Sequence, residues 1–156
     1  MGAFIISEGI VLIASVIIAA GFSAVVLNQM GIFHSALSST SATERDITLT
    51  KVKIIYASNS SSTQVNMWVK NIGSTPIKGL DKVDVFFGTI DDVERIPYNA
   101  GSSPTWVYSS PVTVWQIKDT LQMNLTSSFA LQKDTAYTIR ISAPNGVSDE
   151  YIFSIS

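Results

Sequence analysis

The side chains able to do chemistry are few and far apart. His34 is the single histidine and stands between Phe33 and Ser35, with no nucleophile or acid spaced to make a Ser-His-Asp set. The chain has no cysteine, which excludes a thiol nucleophile, a disulfide framework and a Cys-based zinc site. Asp91-Asp92-Val93-Glu94 gathers oxygen ligands of the kind Ca²⁺ takes. It lacks the twelve-residue loop pattern of a calcium site, and a solvated loop is the expectation. No Gly-rich phosphate loop is present. Two N-glycosylation sequons occur, Asn59-Ser60-Ser61 and Asn124-Leu125-Thr126. Asn59 falls in a turn-forming run and is the better candidate of the two. These residues lead us to expect no enzyme, no cofactor, no metal site and no small-molecule substrate.

Charge is scarce and unevenly placed. Only 14% of the 156 residues are charged, against roughly 25% in a typical soluble domain. Residues 1–43 carry one acid, Glu8, and no Lys or Arg, so all 10 basic residues and the other acids of the 12 lie beyond. A sequence pI near 5.2 with scattered lysines leaves no basic patch for phosphates, and nucleic acid is not an expected partner.

Two elements follow from this distribution. Gly9–Leu27 (GIVLIASVIIAAGFSAVVL) is almost wholly apolar and meets the length of about 20 residues needed to cross hydrocarbon. Gly9, Val11, Ile13, Ile17, Phe22 and Leu27 are expected in a membrane-anchoring helix over residues 1–37. A secretory signal would have a basic n-region and a shorter apolar core. Small residues recur four apart (Ser15/Ala19, Ala19/Ser23, Ala20/Ala24). That spacing suits close helix packing in lipid but is also common in any Ala-rich apolar helix. Glu8 has two open readings: pairing with a neighbour's amine, or sitting in the headgroup layer near the helix N-terminal dipole. Residues 38–46 are small and polar and are expected as a linker.

From residue 47 to 156 the periodicity becomes 2. Strands are expected at Ile47–Tyr56, Val65–Val69, Val83–Phe87, Val112–Ile117, Leu121–Leu125, Ala136–Ser142 and Tyr151–Ile155. Pro144-Asn145-Gly146 joins the last pair as a hairpin. Short strands punctuated by turns every 8 to 12 residues define an all-β, antiparallel immunoglobulin-like sandwich behind one N-terminal helix. Ile96–Pro111 reads as a long loop, in which Tyr98, Trp106 and Tyr108 either cover the sandwich or form a contact surface. Val112, Val114 and Trp115 are the candidate self-association residues, on the argument that strand edges are pairing templates.

Trp68-Val69-Lys70-Asn71-Ile72-Gly73-Ser74-Thr75-Pro76-Ile77 looks like the VKN-x-G turn of archaellin-like sandwiches, and the Pro144-Asn145-Gly146 hairpin is similar as well. On these motifs the chain resembles the archaellin/type IV pilin-like superfamily. Within it the resemblance is to the archaellum accessory proteins of the FlaG/FlaF class, FlaG favoured. Filament subunits carry a basic leader, whereas only Met1-Gly2-Ala3 precedes Phe4 here, so an uncleaved anchor is the expectation. Phe4 to Glu8 nevertheless repeats the spacing of a mature pilin start, which keeps processing before Phe4 open.

The resemblance implies a single-pass protein of the archaeal cell membrane with its β-domain on the extracytoplasmic side. There it would act in a static (stator) complex that holds the archaellum motor against the envelope and supports swimming. Implied partners are the membrane, further copies in oligomers or filaments, and a FlaF-like companion, through it the surface layer. The alternative is a polymerising archaellin or pilin-like filament subunit. A surface-anchored binding module is a third reading, with Tyr98, Trp106 and Tyr108 as its candidate site.

Overall fold

The structure, a computed structural model, describes residues 2–155, without the side chains of residues 2–6. The chain divides into two compact units, residues 1–42 and 43–156.

One helix, α1, runs Gly2–Leu49 without interruption. The expected linker at 38–46 is therefore helical, and Ile47–Leu49, expected to open a strand, forms the last turn of α1. Between Gly31 and Gly73 there is neither Gly nor Pro to break the chain. The small polar side chains that read as a linker satisfy themselves on the helix. Ser39 Oγ and Thr40 Oγ1 both donate to the Ala36 carbonyl at 2.9 Å, back-bonding that a helix accommodates.

Among the described residues the second unit contains ten strands: β1 (Val52–Asn59), β2 (Gln64–Asn71), β3 (Ile77–Lys78), β4 (Asp84–Thr89), β5 (Val93–Ile96), β6 (Thr105–Tyr108), β7 (Val114–Trp115), β8 (Thr120–Thr126), β9 (Ala136–Ser142) and β10 (Ser148–Ser154). A short 3₁₀ turn, Leu80–Lys82, leads into β4. One four-stranded sheet has the order β1-β2-β8-β6, the other β10-β9-β4-β5, and β3-β7 form a small ribbon. All strand pairs within these sheets are antiparallel. The expected sandwich is present. β3 and β5 were missed because two and four residues are too short for period 2 to register. β6 was missed because it lies inside the segment expected to be one long loop.

Alternation builds the core. Val65, Met67 and Val69 of β2, Met123 and Leu125 of β8, Val85 and Phe87 of β4, and Ile139 and Ile141 of β9 all point inward and are buried. Phe87 stacks near Phe129, Tyr137 and Phe153 with centroids 5.6–6.5 Å apart. The sandwich also closes at its sides. The Ile54 amide and Lys53 Nζ of edge strand β1 donate to Asp149 of β10 at 2.8 and 2.9 Å. On the other side, Trp106 N of edge strand β6 donates to the Pro97 carbonyl, and Asn99 N donates back to Trp106, each at 3.0 Å. Covered edges of this kind resist indiscriminate strand addition.

Candidate membrane anchor and assembly surfaces

Among the described residues, α1 is the one helix long and apolar enough to cross a membrane. Val11, Ile13, Ile17, Phe22 and Leu27 are each more than 60% exposed, and Gly9 is half-exposed. Aliphatic side chains facing outward on every side are unfavourable in water but suit hydrocarbon. Ser15 and Ser23 donate to the Leu12 and Ala19 carbonyls at 2.8 Å, so their hydroxyls need no partner in lipid. Glu8 and His34 are exposed on α1.

The last turn of α1 ends in a socket built by the motif at 71–76. Asn71 is fully buried, yet its amide is well satisfied: Nδ2 donates to the carbonyls of Thr75 at 2.9 Å and Trp115 at 3.3 Å, and Oδ1 accepts from Gly73 N at 3.0 Å. This fixes the turn, whose outer backbone meets the end of the helix. Ser74 N donates to the Leu49 carbonyl and Ile72 N to that of Lys51, both at 2.8 Å. The C-terminal carbonyls of a helix lack partners within it, and here a turn supplies one. The Pro144-Asn145-Gly146 hairpin adds side-chain contacts to the same helix end. Asn145 Nδ2 donates to Asp46 Oδ2 at 2.9 Å and to Thr50 Oγ1 at 2.8 Å, while Thr50 Oγ1 donates to the Asp46 carbonyl at 2.7 Å. Gly146 takes φ +85, a conformation open to glycine. The two motifs quoted for the family resemblance thus converge on the same helix end. Sequence reasoning singled out both motifs but missed their joint role and the participation of Asp46 and Thr50. A cleft of about 410 Å³ lies beside them, lined by Asp46, Thr50, Thr75, Ile77 and Asn145 among others.

Trp115 corrects the expected association edge. It is fully buried, with Nε1 donating to the Asp119 carbonyl at 3.0 Å, so it is core and not contact surface. The expected strand Val112–Ile117 shrinks to β7, where Val114 faces Lys78 of β3 and Trp115 faces Ile77. Val112 and Val114 are half-buried. Of the two readings left open for the aromatic trio, the structure favours the one in which the rings cover the sandwich. Trp106 is fully buried, with Tyr98 at 4.7 Å and Tyr108 at 5.1 Å between ring centroids. Trp106 thus belongs to the core under edge strand β6, while Tyr98 stays exposed above it. Tyr108 donates its hydroxyl to the Leu80 carbonyl at 3.0 Å. Burial, then the neighbouring Tyr98 and Asp81, push its phenol well above the ordinary tyrosine range.

Asn59 is exposed at the end of β1, in the hairpin to β2, whereas Asn124 is half-buried in the middle of β8. Glu94, the last of the acidic run, accepts from Ser128 Oγ at 2.9 Å. No three His, Cys, Asp or Glu side chains among the described residues are grouped to hold a metal.

An apolar N-terminal helix feeding, through its own last turn, an antiparallel β-sandwich defines the archaellin-like class. Residues 2–153 match the archaeal-type flagellin family, and the chain belongs to it. It is similar to the archaellum periplasmic stator protein FlaG from Sulfolobus acidocaldarius, with 35% identity and a TM-score of 0.63, covering 67% of this chain and 100% of that one. The same identity and TM-score hold for the solved complex of the stator proteins FlaF and FlaG from that organism, covering 90% of the matched chain. The archaeal flagellum of Methanospirillum hungatei shares the fold, with a TM-score of 0.78 at 16% identity over 97% of this chain and 93% of that one. A search of curated proteins returns no match.

Proposed function

We propose that this protein is a FlaG-like static component of the archaellum, anchored in the cell membrane by α1 and carrying its sandwich outside. It works by holding position. A rotary filament turns only if something resists the reaction torque, and a membrane helix joined to a folded outer domain supplies a fixed point. The role is structural and not catalytic. A FlaF-like companion is the proposed neighbour, and through it the surface layer. Self-association into oligomers accompanies this role.

The observation that carries the reading is the contrast between two similarities. Identity is 35% over the whole solved FlaG chain, but 16% to the filament, where the likeness speaks for fold alone. Shearing archaella from intact host cells and quantifying the protein in each fraction tests it. Retention with the cell bodies is the expected result, and recovery in the filament fraction in proportion to its subunits overturns it in favour of a filament subunit.

A further inference from the structure

The outer face of the β1-β2-β8-β6 sheet carries an ordered set of side chains that neither the core nor the helix socket uses. Cross-strand register lays it out in rows. Lys53, Lys70 and Thr120 form the first row, and Tyr56, Trp68 and Gln122 the second. Ser58, Asn66, Asn124 and Val107 form the third. The second row is an aromatic platform. Tyr56 and Trp68 have centroids 5.6 Å apart and planes 35° apart, following the twist of the sheet. A bulge between Ile54 and Tyr56 turns Ile55 outward as well, so Ile55 and Tyr56 are 49% and 52% exposed. The amides of Asn66, Gln122 and Asn124 stand half-exposed beside the rings, each with donors and acceptors.

The first row sets the charge. Lys53 and Lys70 face each other directly, a like-charge pairing that disfavours folding. Lys53 is compensated by Asp149 at 2.9 Å, whereas among the described residues Lys70 has no ion-pair partner. Lys70 is only half-exposed, so its charge is less well solvated than that of a free surface lysine.

We infer that this face binds an acidic glycan, with sugar rings stacked on Tyr56 and Trp68 and a carboxylate or sulfate ester of the next residue placed on Lys70. The ring faces carry partial negative charge and attract the polarised C–H face of a pyranose. The amides match equatorial hydroxyls, which donate and accept together. The choice of an acidic glycan rests on charge complementarity: the cation of Lys70, without an ion-pair partner among the described residues, stands one row from the two rings and the amide of Gln122. The inference is independent of the stator role.

The test uses the full chain in a detergent without a sugar headgroup, with polygalacturonate and uncharged dextran as probes. Trp106 and Trp115 are fully buried, so acrylamide quenching of tryptophan fluorescence reports on Trp68. Polygalacturonate should protect Trp68 at low salt, and dextran should protect it more weakly. In affinity electrophoresis Tyr56→Ala and Trp68→Ala should each weaken retardation by polygalacturonate about tenfold or more. Lys70→Gln should reduce its advantage over dextran, while thermal unfolding confirms that each variant is folded. Absence of protection overturns the inference. So does binding that Lys70→Gln and salt abolish but Tyr56→Ala leaves intact, which is the behaviour of a nonspecific polyanion site. Protection that grows with protein concentration in the absence of polysaccharide also overturns it, by assigning the face to a second copy of the chain.

Discussion

A Cβ placed on Gly73 would lie 2.5 Å from the carbonyl oxygen of Leu49 and 2.6 Å from the amide nitrogen of Lys51. The β2–β3 turn therefore meets the end of α1 backbone to backbone, a contact that only glycine allows. Backbone atoms cannot swing aside as a side chain would. Gly73→Ala should cost about 2–3 kcal/mol through forced displacement, read as a lower urea midpoint with an unchanged m-value.

Asn71 holds that turn from beneath. Removing its amide leaves the Gly73 N–H and the Thr75 carbonyl without their buried partner. Each unsatisfied group costs roughly 1–3 kcal/mol. Asn71→Ala should thus destabilise by about 2–4 kcal/mol. Asn71→Asp should be no better, because it exchanges two donated hydrogen bonds for a buried charge. Thermal unfolding of the three proteins side by side checks the order.

These two residues also show what the sequence made legible. The sandwich and its strands were readable where alternation ran for five or more residues, as in β2, β8 and β9. The Asn71-x-Gly73 and Pro144-Asn145-Gly146 motifs were visible as turns. That both turns serve one helix end was not readable, because Asp46 and Asn145 are 99 positions apart and local pattern carries no information across that distance. Serine and threonine misled in the other direction. Their loop preference over 38–43 gave way to back-bonding in a stretch free of Gly and Pro. Trp115 misled because a valine-rich alternating run looks the same whether its tryptophan faces the core or a partner.

Tyr108 gives the sandwich an alkaline limit. Its folded-state pKa lies above the unfolded value of about 10. Below pH 10 both states keep the proton, and the group adds no pH dependence. Above it the unfolded chain loses the proton while the folded chain retains it, so stability falls as pH rises. Unfolding free energy measured from pH 8 to 11.5 should decline more steeply in the wild type than in Tyr108→Phe. At pH 8 the variant should be less stable by about 0.5–1.5 kcal/mol for the lost hydrogen bond to Leu80.

Trp115 and Val114 separate folding from association. Trp115→Ala should cost about 3–5 kcal/mol as a large core truncation. Val114→Lys places its charge at a half-exposed site and should cost under about 1 kcal/mol. Denaturant unfolding checks both values. Val114→Lys is therefore the substitution in which loss of oligomers, measured by light scattering on the full chain in detergent, reports an interface and not a collapsed domain.

The central claim is that the sandwich stands outside the membrane and does not turn with the filament. The chain has no cysteine, so a single Ser61→Cys in the β1–β2 hairpin gives a unique label site on an exposed residue. Host cells with the native copy replaced are immobilised with filaments free to rotate, labelled with a membrane-impermeant maleimide dye, and followed by polarised fluorescence of single molecules. The account predicts labelling of intact cells and a polarisation that stays steady while the filament turns. Failure to label, or a polarisation oscillating at the frequency of the filament, contradicts it.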